Sequence, residues 1–258
     1  TRVGLRSNFS IYDAADSQRL MSLVCRELDL DPKRYPPRAF SAQVSNLKNE
    51  LVDEETHAGR SADGAHNARM LAEAYIAYQR RLREANALDF DDLIMTTVNI
   101  LQAFPDVAEH YRRRFRHVLV DEYQDTNTAQ YTLVRELVGR SGVDESTGEA
   151  FDPAELCVVG DADQSIYAFR GATIRNILQF EEDYPDATTI LLEQNYRSTQ
   201  TILSAANAVI ERNESRRPKN LWTNAGSGAR ITGYVADTEH DEAQFVADEI
   251  DRLTDAGE

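Results

Sequence analysis

The sequence predicts an α/β protein, in which a parallel sheet covered by helices follows an N-terminal helical subdomain. Three observations predict it. Residues 118–120 are Val-Leu-Val, an apolar β-branched run that stops abruptly at two acids, Asp121 and Glu122. Such a run reads as a strand buried on both faces. From residue 117 onward, short β-type runs alternate with stretches of helical spacing, the pattern of a parallel sheet with crossover helices. Before that point the apolar residues recur at helical spacing, with Pro and Gly as punctuation.

The elements follow in order. Residues 13–28 carry Leu20, Met21, Leu23, Val24 and Leu28 on one helical face. Pro32, Pro36 and Pro37 end that pattern, and a second helix is expected over 38–51. Residues 57–64, polar and containing Gly59 and Gly64, read as a loop. Helices are then expected over 65–86, 89–103 and, after Pro105, 106–114. The alternating part predicts strands at 117–120, 156–160 and 188–192, with helices at 128–137, 173–180 and 199–211. Residues 140–153 and 224–228 read as exposed loops. A further strand is expected over 230–235 and a further helix over 241–253.

Composition sets the outer limits. With 258 residues, 41% hydrophobic and 28% charged, the chain is an ordinary globular sequence of about two domains. No apolar run approaches the ~20 residues that span a bilayer, and no secretory signal pattern opens the chain. Two cysteines, Cys25 and Cys157, are too few for a disulfide framework or a thiolate metal site. Cys157, within an apolar run, reads as a small buried residue. A reducing, cytoplasmic setting fits, with no membrane partner. The net charge of −16 argues against a globally basic nucleic-acid binder but leaves room for a local basic groove. Local clusters exist at Arg80, Arg81 and Arg83, at Arg112 to Arg114 with Arg116, and at Arg216, Arg217 and Lys219. Each alone reads more readily as a solvated face.

Three expected strand ends carry polar clusters. The first is Asp121-Glu122 with Gln124 and Asp125. The second is Gly160-Asp161-Ala162-Asp163-Gln164-Ser165, followed by Tyr167, Phe169 and Arg170. The third is Glu193-Gln194-Asn195-Tyr196-Arg197-Ser198. In a parallel sheet such ends converge on one edge, where open α/β sheets place ligands. One carboxylate can hold a hard cation such as Mg²⁺ while the other orients or deprotonates a water. An arginine and an amide complete a set suited to phosphoryl transfer. Taken singly, each is weak: an Asp-Glu pair can be an exposed turn, Gln164 can satisfy backbone groups, and Arg197 can serve a structural ion pair.

Together, in this order, the clusters resemble motifs II, III and IV of the superfamily 1 DNA helicases of the UvrD/PcrA/Rep type. The matching strings are Val120-Asp121-Glu122-Tyr123-Gln124-Asp125-Thr126-Asn127, Val159-Gly160-Asp161-Ala162-Asp163-Gln164-Ser165-Ile166-Tyr167 and Leu192-Glu193-Gln194-Asn195-Tyr196-Arg197-Ser198. Ala87-Leu88-Asp89-Phe90-Asp91-Asp92-Leu93 and Asn8-Phe9-Ser10-Ile11-Tyr12-Asp13 also resemble segments of that family. The resemblance covers essentially the whole chain. It implies a P-loop NTPase fold with a RecA-like parallel sheet, here incomplete. Residues 1–88 would form a helical 1B-like subdomain, 89–195 the C-terminal half of motor domain 1A, and 196–258 the start of 2A.

The resemblance also implies roles. Asp121 would hold Mg²⁺, and Glu122 would activate the hydrolytic water. Gln164 would contact the γ-phosphate of ATP, Arg197 would stabilise its charge, and Tyr196 would stack on adenine. Phe90, Tyr167, Phe169 and Arg170 would line the path of single-stranded DNA. Several relatives carry Trp where this chain has Phe169. The implied activity is ATP-driven 3′–5′ movement on single-stranded DNA and at single-strand/double-strand junctions, in repair or replication, alongside proteins of those pathways.

The phosphate-cradling G-x-x-x-x-G-K-[ST] loop of such motors is not in this sequence: its lysines are Lys33, Lys48 and Lys219, and none follows a glycine. The chain begins with Thr1 rather than Met. Both features lead to the expectation of an internal piece of a larger helicase, inactive alone. Two other readings stand beside it. One is a non-enzymatic DNA- or partner-binding module derived from a helicase. The other is a metal-dependent nuclease using Asp121, Glu122 and Asp125.

Overall fold

A computed structural model describes residues 3–143, 150–166, 175–178, 180–213 and 219–257. The chain divides into two compact units, Thr1–Ala187 and Thr188–Glu258. Among the described residues no helix is long and apolar enough to cross a membrane.

The first unit begins with a short strand, β1 (Ser10–Tyr12), and helix α1 (Ala14–Glu27). Asp13 starts the helix by accepting the Asp16 N–H at 2.8 Å, which satisfies one of the donors that a first turn leaves open. Helix α2 (Pro37–Asn49) opens on Pro37, whose missing N–H costs nothing at that position. Helix α3 (Glu54–Ser61) replaces the loop expected over 57–64. Asp53 caps it by accepting the Thr56 N–H at 2.7 Å, and Glu54 and Glu55 face the helix dipole favourably. Capping, acidic first turn and packing on the next helix outweigh the roughly 1 kcal/mol that Gly59 costs in a helix interior.

Helix α4 (His66–Glu84), strand β2 (Ala87–Asp89), helix α5 (Phe90–Ala103) and helix α6 (Pro105–Arg114) follow. Strands β1 and β2 are not among the expected elements. They form a parallel pair in the register Ser10↔Ala87, Ile11↔Leu88, Tyr12↔Asp89. Helices α1, α2 and α4 enclose the core, with Met21, Val24, Phe40, Val44, Leu71, Tyr75, Tyr78 and Leu82 buried together.

Strand β3 (His117–Val120) leads through a 3-10 turn, Tyr123–Asp125, into helix α7 (Thr128–Val138). Two-residue strands β4 (Gly142–Val143) and β5 (Ala150–Phe151) pair antiparallel within the region expected to be loop. Strand β6 (Glu155–Val158) runs parallel to β3, with Val118↔Leu156, Leu119↔Cys157 and Val120↔Val158. Burial corrects the expectation for both. Val118, Val120, Leu156 and Val158 are half-buried, whereas Leu119 and Cys157 are exposed on the other face. The reason is the period-2 pleat, which sends neighbours to opposite faces, and here one face of the pair is bare. In the stretch expected as helix over 173–180, the described residues form α8 (Arg175–Leu178), followed by α9 (Phe180–Asp183).

The second unit contains helix α10 (Gln200–Ile210) and helix α11 (Glu239–Ala256). Neither expected strand forms. Residues 188–192 and 230–235 have no ladder partner among the described residues, and Ile190, Leu192, Ile231 and Val235 stay exposed. The β-branched composition remains, but among the described residues no neighbouring strand takes the backbone groups. One parallel bridge, Gln194↔Trp222, ties the start of the unit to residue 222.

Candidate functional site

Asp121 and Glu122 leave the C-terminal end of β3 together. The Glu122 backbone is left-handed, with φ 49° and ψ 44°, a conformation costing a non-glycine residue about 1–2 kcal/mol. Such strain persists only where surrounding bonds fix it, and the bonds are present. Val159 N–H donates to the Val120 carbonyl at 2.8 Å, and Tyr123 N–H donates to the Val159 carbonyl at 2.9 Å. Tyr123 is fully buried, packed edge-on against Phe180 with ring centroids 5.6 Å apart. Burial pushes its phenol pKa well above the ordinary range, so it acts as a neutral anchor for the turn.

The turn ends in a firm stop. The Thr126 hydroxyl donates to the Tyr123 carbonyl at 2.7 Å. Asn127 then caps α7 reciprocally: its Oδ1 accepts the Gln130 N–H at 2.9 Å, and Gln130 Oε1 accepts the Asn127 N–H at 3.1 Å. Asn176, from α8, donates to the Thr126 carbonyl at 3.0 Å and holds that stretch from the other side.

Gln124 is the residue that makes one site of two strand ends. It is buried. Its Nε2 donates to Glu122 Oε2 at 2.7 Å, and its Oε1 accepts the Asp161 N–H at 2.9 Å. Gly160 is what lets them approach: a Cβ there would lie 2.7 Å from Gln124 Oε1 and 3.1 Å from the Tyr123 nitrogen. Asp161 in turn starts a second 3-10 turn, Ala162–Gln164, by accepting the Asp163 N–H at 2.9 Å. Its other oxygen accepts from Gln164 Nε2 at 2.9 Å. Asp121, Glu122 and Gln164 are therefore joined through Gln124 and Asp161, with both carboxylates of the Asp121-Glu122 pair exposed to solvent.

Asp121 Oδ1 accepts the Glu122 N–H at 2.9 Å, and its Oδ2 accepts no hydrogen bond from a described residue. A single exposed carboxylate of this kind suits Mg²⁺, which keeps several waters and takes its remaining ligands from a nucleotide. Among the described residues no three acid, histidine or cysteine side chains are grouped to hold a metal.

Phe90 is the first residue of α5 and is 57% exposed. Its neighbours Asp89 and Asp92 are not solvent-facing. They form a capping box around Lys48, a side chain with 0% exposure, which donates to Asp89 Oδ2 at 2.6 Å and contacts Asp92 Oδ1 at 2.8 Å. Tyr78 donates to Asp89 at 2.9 Å and Gln79 to Asp92 at 3.0 Å. Burial raises the Asp89 pKa, but the Lys48 charge and the hydrogen bonds outweigh it and leave it below the ordinary value. At Asp92, burial and the Asp89 charge win over Lys48, and the pKa is raised. The sequence offered Lys48 only as a lysine outside a phosphate loop. Nothing in its local pattern marks it, because its partners lie about forty residues away, 41 for Asp89.

Tyr196 and Arg197 belong to the second unit. Both are exposed, Tyr196 at 84%. Asn195 shapes their turn: its Oδ1 accepts the N–H groups of Arg197 and Ser198 at 2.9 and 2.8 Å. Its own N–H donates to the Trp222 carbonyl at 2.7 Å. The Tyr196 hydroxyl donates to Gln194 Oε1 at 2.9 Å. Tyr167, Phe169 and Arg170 lie outside the described residues. Within the basic clusters of the first unit, Arg81 pairs with Glu27, Arg83 with Glu54, Arg112 with Glu136 and Arg113 with Glu109, while Arg116 donates to the Asp152 and Pro153 carbonyls.

Residues 1–185 match the family model for the UvrD/REP helicase N-terminal domain, and residues 190–258 that for the UvrD-like helicase C-terminal domain. ATP-dependent DNA helicase UvrD1 of Mycobacterium tuberculosis (strain ATCC 25618 / H37Rv) is 67% identical over 99% of this chain and 33% of its own length. The protein of that name from Mycobacterium leprae (strain TN) is 66% identical over the same shares. ATP-dependent DNA helicase PcrA of Staphylococcus aureus (strain NCTC 8325 / PS 47) is 49% identical over 96% of this chain and 32% of its own length. The chain thus spans about a third of the length of the curated relatives it matches.

Proposed function

The chain belongs to the UvrD/REP helicase family, and on that premise we propose that it is part of an ATP-driven DNA helicase that moves 3′ to 5′ on single-stranded DNA in repair or replication. The observation that carries the reading is the Gln124 bridge. It fixes Glu122 against the Asp161 turn and so holds an acid and the Gln164 amide in one constellation. Prearranged groups of this kind suit phosphoryl transfer, in which positioning and electrostatics do most of the catalysis. The fold that fits the family is a RecA-like sheet, of which β3 and β6 would be two adjacent parallel strands. The domain division proposed is a helical 1B-like part over 1–88, motor domain 1A over 89–195 and motor domain 2A from 196.

In this reading Glu122 takes the proton of the attacking water, and Gln124 holds its carboxylate in place. Asp121 Oδ2 would hold Mg²⁺, whose charge would offset that of the β- and γ-phosphates. Gln164 contacts the γ-phosphate. Arg197 stabilises the charge that develops on the phosphate, and Tyr196 stacks on adenine. Phe90, with Tyr167, Phe169 and Arg170, contacts single-stranded DNA. Stacking on an aromatic grips any base, worth about 1–3 kcal/mol each, which suits a motor that must release each base in turn. Single-strand/double-strand junctions are the proposed substrates.

The test is ATP turnover with and without single-stranded DNA in the longer protein that contains this segment. The longer protein is needed because no lysine of this segment follows a glycine. Glu122→Gln should lower DNA-stimulated turnover by about 10²–10⁴, the range for loss of a general base, and leave ATP binding in place. Undiminished turnover in that variant would overturn the assignment.

A further inference from the structure

Two consecutive residues end α2, and they reach in different directions. Lys48 enters the buried pair of Asp89 and Asp92 that starts α5 directly before and behind Phe90. Asn49 turns to α7: its Oδ1 accepts from Asn127 Nδ2 at 2.9 Å. Asn127 is the cap that terminates the Glu122–Thr126 turn. One helical end therefore holds both the exposed phenylalanine and the acid-bearing turn. The two also face common space, since a cavity of about 600 Å³ is lined by Asn49, Phe90, Asp91, Asp125 and Asn127. Helices α2, α5 and α7 pack mutually, so the end of α2 cannot shift without both neighbours.

We propose that the Lys48–Asn49 end of α2 is a coupling element that transmits occupancy of Phe90 by single-stranded DNA to the nucleotide-hydrolysing turn. The inference rests on the functional reading above, in which Phe90 meets DNA and Glu122 activates water. A base stacking on Phe90 loads the first turn of α5. Asp89 and Asp92 cannot follow that load independently of Lys48, because a buried ammonium with two carboxylates is costly to separate. The load reaches Asn49 through the helical backbone, and the Asn49–Asn127 hydrogen bond passes it to the stop that positions Gln124 and Glu122. Coupling of this sort runs through a contiguous set of packed and hydrogen-bonded groups. Asn49 is a positioning residue, whose part is to hold Asn127.

The test uses the longer protein, Asn49→Ala, Asn127→Ala and the double variant. ATP turnover is measured without DNA and across a titration of single-stranded DNA. Asn49→Ala should keep turnover without DNA and the DNA concentration for half-stimulation, and lose stimulation by about five- to tenfold, the scale of a typical coupling. The double variant should lose no more stimulation than Asn49→Ala alone, because the shared bond is already gone. A merely structural role would lower turnover with and without DNA together. If wild type is stimulated and Asn49→Ala is stimulated equally, the coupling is overturned and the functional reading stands. If wild type is not stimulated at all, the functional reading fails and the coupling with it.

Discussion

Gln124 donates to the Glu122 carboxylate across 2.7 Å from inside the protein, where the Gln124 side chain is buried and Glu122 is exposed. The amide has two distinct ends: its nitrogen donates to Glu122 and, at 3.4 Å, to Asp125 Oδ2, and its oxygen accepts the Asp161 N–H. Gln124→Glu keeps the shape but puts a carboxylate where a donor is needed. We expect kcat for ATP in the longer protein to fall by about 10- to 100-fold, the scale of a misplaced catalytic group. Steady-state ATPase assays check this, with thermal melting to show that the fold survives.

Gly160→Ala should act through the same bridge. The added methyl would meet Gln124 Oε1, Ile177 Cδ1 at 3.0 Å and the Tyr123 nitrogen. Only the Ile177 side chain can give way easily. We expect a stability loss of about 1–3 kcal/mol from overpacking, together with a fall in turnover like that of Gln124→Glu. Unaltered urea unfolding and unaltered turnover would both contradict the close approach.

Lys48→Met removes the cation from a buried pair of acids. Breaking such a group by deleting one partner costs about 3–5 kcal/mol, and denaturant unfolding of the 258-residue chain reads it directly. Adding Asp89→Asn and Asp92→Asn together should restore part of the loss, since no unpaired charge then remains buried.

The same group has a pH signature. Asp89 has a folded pKa below its ordinary value of 3.8. Its contribution is therefore fully present above that value and is lost as pH falls through the lowered folded value. Asp92 is raised, so its contribution has the opposite sign: present at low pH and lost as pH climbs through the raised value. The two acids titrate as a unit. Carboxyl-detected NMR titration should show one step below and one above the ordinary aspartate range, and Lys48→Met should move the lower step upward.

Arg197→Ala, in the longer protein, should reduce DNA-stimulated kcat by about 10³ or more if the guanidinium stabilises charge on the transferring phosphate. The exposed Asn195-centred turn that carries it makes a folding defect a small part of the effect. Circular dichroism of the variant separates the two.

The helical part was legible because caps and apolar spacing are local signals: Asp13, Pro37, Asp89 and Asn127 each start a helix near where the pattern places it. Helix α3 escapes the pattern because Gly59 reads as a loop signal while the Asp53 cap carries the opposite message. The strands expected at 188–192 and 230–235 do not form, because β-branched residues report a capacity for pairing that only a partner strand fulfils. At the candidate site, Asp121, Glu122 and Gln164 are marked by polar chemistry after β-type runs. Gln124, Asn49 and Lys48 do not, because their meaning lies in contacts with residues distant in sequence, such as Asp161, Asn127 and Asp89.

The register that sets Leu119 beside Cys157 on the bare face of the β3–β6 pair gives the molecule a native chemical reporter. Of its two thiols, Cys25 is buried, and burial raises its pKa, so an alkylating reagent meets Cys157 first. Any body that settles over the Leu119 face must also shield that sulfur. The rate of one labelling reaction, followed by mass spectrometry, would then time the docking without a fluorophore or an engineered residue.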